Sequence, residues 1–136
     1  MKVSDAVSEF FATRERTNVL ATSGKDGSVN VAAFGSPTLS GDETIIMMLG
    51  DNRTWANLAE NPNAALLVIL HGGVGMGMKG CRLYLKLRET ADSGEKFDSL
   101  IGPIRERIGR GADILKHYVE FEITGARPIL DFGQGI

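Results

Sequence analysis

Residues 75–89 read GMGMKGCRLYLKLRE, and whether these glycines open a helix or a strand decides the fold class. Gly75, Gly77 and Gly80 have the G-x-G-x-x-G spacing of a dinucleotide-binding turn, and the apolar run AALLVIL (64–70) precedes them. Such a turn works only where a strand feeds a helix whose N-terminus faces the pyrophosphate. Here Cys81, Leu83, Leu85 and Leu87 alternate with Arg82, Tyr84, Lys86 and Arg88, the two-residue period of a half-buried strand. The glycines therefore join two strands, and the fingerprint reading fails. Lys79 does not restore a Walker loop, because Met78 and Gly80 flank it where that motif needs Gly before and Ser or Thr after. Glycine still permits close approach of backbone to a bound group, which makes Gly75, Met76 and Gly77 candidate contacts for a cofactor or a second subunit.

Working outward, the same periodicities divide the rest of the chain. Val3, Ala6, Val7, Phe10 and Phe11 have helical spacing, with Ser4 or Asp5 placed to cap. NVLATS (18–23) and SVNVAAF (28–34) read as strands around Asp26-Gly27, a strong hairpin signal. TLSGDE (38–43) reads as a turn into a third strand, TIIMMLG (44–50). RTWANLAEN (53–61) is a short helix stopped by Asn61-Pro62, since the residue before proline leaves the helical region. AALLVILH (64–71) and CRLYLKLRE (81–89) supply the fourth and fifth strands. Asp92 and Glu95 have capping-box spacing ahead of Phe97, Leu100, Ile101, Ile104 and Ile108, which predicts a second long helix bent at Gly102-Pro103. HYVEFEITGA (117–126) alternates as a sixth strand. Six hairpin-linked strands with helices early and late predict a mainly β fold, a small antiparallel barrel.

Residues 1–136 fit one domain, able to bury about 68–70 % of its unfolded surface. With 15 basic and 17 acidic residues the formal charge is -2, so the overall basic field used by nonspecific nucleic-acid or membrane binders is absent. The longest apolar runs fall well short of the roughly 20 residues that span a bilayer, and MKVSDAVSEFF lacks the order of a signal peptide. The expectation is a soluble cytoplasmic protein. A single cysteine, Cys81, sits on the apolar side of a strand and reads as a buried, inert thiol.

Groups for acid–base or nucleophilic work are few. His71 and His117 fall at strand boundaries without ligand-spaced partners, and no serine lies in a G-x-S-x-G turn. No catalytic or metal-binding set emerges, so reactivity would come from a cofactor. The best anion site is GDNRTWANLAE (50–60), where Arg53 and Thr54 open a helix whose first N–H groups and dipole favour a phosphate. Asp51 lies close enough to repel an anion unless it turns inward as the helix cap. The C-terminal segment ARPILDFGQGI carries Ile129, Leu130, Phe132 and Ile136, apolar residues suited to an interface or to packing on the barrel.

The ordered set SVNVAAF, GDNRTWANLAENP followed by AALLVIL, and GMGMKG entering the fifth strand resembles the FMN-binding split-barrel family related to pyridoxamine 5'-phosphate oxidase, over about residues 17 to 126. The resemblance implies a six-stranded split β-barrel of Greek-key type. In that family a basic residue followed by Ser or Thr binds the FMN phosphate, which maps onto Arg53 and Thr54, and the second strand and its exit line the isoalloxazine, which maps onto Asn30, Val31, Ala32, Ala33 and Ser36. It also implies a homodimer with FMN at the interface and flavin-dependent oxidoreductase chemistry on a small molecule or redox partner. The alternative is a carrier, store or sensor without turnover. Relatives that bind F420 or haem keep those cofactors open. The additional basic residues that hold the substrate phosphate in true pyridoxamine phosphate oxidases have no counterpart identified here.

Overall fold

A computed structural model describes residues 1–136. The chain forms helix α1 (Asp5–Ala12), strands β1 (Arg16–Ser23), β2 (Val29–Phe34), β3 (Thr38–Ser40) and β4 (Thr44–Leu49), helix α2 (Arg53–Glu60), strands β5 (Asn63–Leu70) and β6 (Gly80–Ala91), helix α3 (Glu95–Ile108) and strand β7 (His117–Pro128). Short 3-10 segments cover Gly75–Gly77 and Gly109–Ile114. One antiparallel sheet has the order β2-β1-β5-β6-β7-β4-β3. No helix is long and apolar enough to cross a membrane.

The expected strands all form, and β3 makes a seventh. Its three residues pair Thr38 with Ile46 and Ser40 with Thr44. A strand that short shows no readable alternation, so TLSGDE looks like a turn in sequence. Strand β7 also runs past Ala126, because Arg127 and Pro128 continue the ladder against Arg82 and Cys81.

The sheet's edges, β2 and β3, are consecutive in the chain and joined by Gly35–Pro37. They share no ladder; side chains close the seam. Ser36 Oγ accepts the Met48 N–H at 3.0 Å and donates to the Met48 carbonyl at 3.2 Å, extending β4's free edge beyond β3. Arg16 donates to the carbonyls of Phe11, Thr13 and Pro37 and to Asn18 Oδ1, pinning α1 and the β2–β3 connection together. Inside, Leu20, Ile45, Met47, Leu66, Val68, Cys81, Leu83, Val119, Phe121 and Ile123 form the core with Val7 of α1. A smaller cluster seats Ile101 and Ile104 of α3 on Met48 and Tyr118. Burial pushes the Cys81 thiol up to about 12, the inert state expected of it.

The helix signals hold in position but not always in the capping residue. Ser4 caps α1 by accepting the Val7 N–H, and α2 ends at Glu60 before Asn61-Pro62. Asn52, rather than Asp51, caps α2, accepting the Trp55 N–H at 2.9 Å. The capping box at α3 does not form: Gly94 precedes the helix without a side-chain cap, and Asp92 points to His117 instead. Helix α3 stays continuous through Pro103, where Gly102, lacking a Cβ, relieves the usual clash ahead of proline.

Candidate functional site

The Gly-rich segment joins β5 to β6 as an antiparallel connection, with Ile69 opposite Gly80. Gly80 has φ +150, and a Cβ there would overlap the Val68 carbonyl oxygen, so this glycine serves strand packing. Gly77 meets nothing within 4 Å, and Met76 is exposed. Strand β5 separates this turn from α2 by eight residues, roughly 25 Å at strand rise. Within one chain, Gly75, Met76 and Gly77 therefore stand apart from Arg53 and Thr54.

Those two residues lie beside β2. Helix α2 is tied to the β1–β2 hairpin by a row of polar contacts: Asn57 Nδ2 to Thr22 Oγ1 at 3.1 Å, Asn61 Nδ2 to Ser23 Oγ at 2.8 Å, and the Lys25 N–H to Glu60 Oε2 at 2.9 Å. Asn30 Nδ2 reaches Thr54 Oγ1 at 3.5 Å, a weak bond that joins two predicted site residues directly. Thr54 is only 1 % exposed, so its hydroxyl serves this contact. The N–H groups of Arg53 and Thr54 have no partner in the chain, as helix geometry dictates for a first turn, but only Arg53 is exposed, Thr54 being buried as a whole residue. The Arg53 side chain is exposed and in no ion pair. It lies near enough to Asp26 to help hold that carboxylate below its usual range, behind the larger effect of the Ser28 hydrogen bonds. Free N–H groups at a helix N-terminus beside an unpaired guanidinium fit a phosphate.

Strand β2 leads away from this point. Asn30, Ala32 and Phe34 turn inward, while Val29, Val31 and Ala33 face out, Val29 and Val31 being 83 % and 68 % exposed. At the exit, Gly35 and Ser36 enter a cleft of about 490 Å³ between α3 and the β2–β3 connection, lined also by Arg14, Arg16, Asn18 and Arg107. Arg16 is spent on the seam, but Arg14 and Arg107 have no carboxylate partner. From Asn30 to Ser36 the chain spans roughly 20 Å at strand rise. A helix N-terminus, an exposed apolar strip and a basic cleft thus lie in series along one strand.

The sequence did not reveal the cluster next to α2. His117 opens β7 as expected, yet it is buried, with Nε2 at 2.6 Å from Asp51 Oδ1 and Nδ1 at 2.7 Å from Asp92 Oδ1. Its ring stacks on Trp55, centroids 3.7 Å apart. The two nitrogens diverge, so these groups do not converge as metal ligands. Spacing alone relates none of residues 51, 92 and 117; the β4–β7 pairing of Leu49 with His117 and the β6–β7 pairing of Ala91 with Tyr118 gather them. The other histidine, His71, bonds Thr17 Oγ1 at the surface. The C-terminal segment folds back through Asp131, which pairs with Arg127 and Arg82, while Phe132 remains exposed.

No curated protein matches the sequence. Among solved structures, an FMN-binding protein from Syntrophomonas wolfei subsp. wolfei is 26 % identical, with TM-score 0.77 over 92 % of this chain and 84 % of that one. HutZ, the haem storage protein of Vibrio cholerae, is 18 % identical, with TM-score 0.67 over 98 % and 100 % of the two chains. An F420 reductase is 17 % identical, with TM-score 0.70 over 91 % and 98 %. The latter two share the fold, and the groups named for all three belong to those proteins. The family model for pyridoxamine 5'-phosphate oxidase matches residues 3–128, nearly the whole length, and the chain belongs to that family.

Proposed function

We propose that this protein binds FMN noncovalently along β2 and acts as a flavin-dependent oxidoreductase on a small anionic molecule or a redox partner. The observation that carries the reading is the serial arrangement on β2: exposed Arg53, with its unpartnered N–H and guanidinium, at one end, exposed Val29, Val31 and Ala33 between, and the arginine-lined cleft at the other. Arg53 and the helix end would hold the phosphate, Asn30 would keep Thr54 and β2 in register, and the apolar strip would carry the ring. Bound flavin supplies two-electron redox chemistry; the protein supplies orientation, exclusion of water and charge. Arg14 and Arg107 would draw an anionic substrate to the cleft.

The site is completed by a second copy. One outer face leaves a flat ring half in water, whereas two copies about a twofold axis cover both faces and form two equivalent sites. The Gly75–Gly77 turn then enters from the partner rather than from the same chain, in keeping with its distance from α2. The likeness to the S. wolfei FMN-binding protein supports FMN over F420 or haem.

Mass spectrometry of the ligand released from native protein tests the cofactor. FMN is expected; F420 or haem would replace it in the account. Anaerobic reduction of the bound flavin by NADH or NADPH, then reoxidation by candidate acceptors, tests turnover. A flavin that neither donor reduces would make the protein a carrier, store or sensor.

A further inference from the structure

Three elements meet at His117. Asp51 approaches one ring nitrogen from the β4–α2 turn, Asp92 the other from the β6–α3 turn, and Trp55, in the first turn of α2, lies flat on the ring at an interplanar angle of 4°. Strand β4 contributes apolar Leu49 opposite. The two contacts fix the proton count. A neutral imidazole has one N–H and one lone pair, so it satisfies one carboxylate and turns a lone pair on the other. Only the imidazolium donates to both. Burial opposes that charge, but the two carboxylates outweigh it and raise the pKa of His117 above its usual value.

Asp51 directly precedes the Asn52 cap of α2, its side chain is 73 % exposed, and its one hydrogen bond in the chain is to His117. Released, this carboxylate would reach the positive end of α2 that an anion would otherwise occupy. We propose that His117 is a positioning residue for the N-terminal turn of α2: as imidazolium it draws Asp51 aside and, through Trp55, holds the helix end at the exposed Arg53 open to an anion. That this anion is the flavin phosphate rests on the function proposed above; the positioning does not. The sign follows from the raised pKa. The arrangement is complete below about pH 6.5, where His117 is charged in any state, and is lost as pH rises through its elevated folded value. Losing the proton also adds one net negative charge beside α2, so anion affinity falls as pH rises.

Trp55 is the only tryptophan, and contact with an imidazolium quenches indole emission, so it reports the ring in flavin-free protein. We would follow Trp55 emission, the amide NMR shifts of Arg53 and Thr54, and FMN affinity from about pH 6 to about pH 9, in the native protein, His117→Gln and Asp51→Asn. Emission and both amides should move together with one midpoint above about 6.5, and His117→Gln should abolish that transition. Native FMN affinity should fall about threefold to fivefold across it, relative to the trend in the variants, which absorbs the titration of the FMN phosphate itself. Should His117→Gln fail to fold, Asp51→Asn, a change at an exposed carboxylate, supplies the comparison. Amides that stay fixed while emission titrates, an emission signal without a transition, or FMN profiles identical in native protein and Asp51→Asn would overturn the proposal. Amides that titrate in a protein that binds no FMN would support the positioning and refute the flavin reading.

Discussion

Strands β6 and β2 carry the same two-residue alternation with opposite chemistry turned outward. On β6, Cys81, Leu83 and Leu85 enter the core, and Arg82, Tyr84 and Lys86 face out. On β2, Val29, Val31 and Ala33 face out, and Asn30 turns in toward α2. Both obey the pleat, but only β6 obeys the rule that apolar faces are buried. The difference separates what holds the barrel together from what the barrel presents. An edge strand that exposes an apolar face beside a helix N-terminus is built for contact with something outside its own chain.

Substitutions at matched positions sharpen the comparison. Leu83→Ala should cost about 2–5 kcal/mol in chemical denaturation, since Leu83 is fully buried. Val31→Ala should change the stability of the isolated subunit by no more than about 0.5 kcal/mol and act on flavin binding instead. A Val31→Ala loss as large as that of Leu83→Ala would put β2 in the core and break the distinction.

The arginines of the two regions come next. Arg88 on β6 pairs with Glu122 at 2.6 Å in an exposed pair, while Arg53 has no partner. Arg53→Ala should weaken FMN binding roughly tenfold or more, the worth of a charge-assisted contact of about 1.5–3 kcal/mol. Arg88→Ala should leave it unchanged. Equal affinities in a titration of apo-protein would move the phosphate elsewhere.

A smaller effect is expected at the β5–β6 turn. Gly77 has open space around it in its own chain, so Gly77→Val should leave the circular dichroism intact and lower FMN affinity several-fold through the partner's site. Unchanged affinity would remove the turn from that site. Smallest of all, Cys81 should resist alkylation near neutral pH in the folded protein and react only on unfolding, because burial holds its thiol at about 12. Modification of the native protein would show that β6 opens.

The barrel was legible because alternation and turn chemistry are local. CRLYLKLRE and HYVEFEITGA declare their faces residue by residue, and Asp26-Gly27 and Asn61-Pro62 end elements where they should. Strand β3 escaped because three residues carry no period. Asp92 was misread as a cap, and the cap role left open for Asp51 went to Asn52, for a different reason: both aspartates stand where capping residues stand, and a carboxylate's choice between a helix N–H and a distant imidazole depends on the pairing of β4 and β6 with β7, which spacing does not encode. Thr54 was singled out by its place at a helix start and Asn30 only through the family resemblance, whereas the cleft holding Arg14 and Arg107 required knowing where α3 packs.

The central claim is that an FMN bound along β2 is shared between two copies of the chain. Sedimentation of the FMN-saturated protein at micromolar concentration, followed at the flavin's visible absorbance, tests it most directly. The account predicts that the flavin sediments with a species of twice the chain mass and is released when that species dissociates. Flavin sedimenting with the single chain at saturation would contradict it.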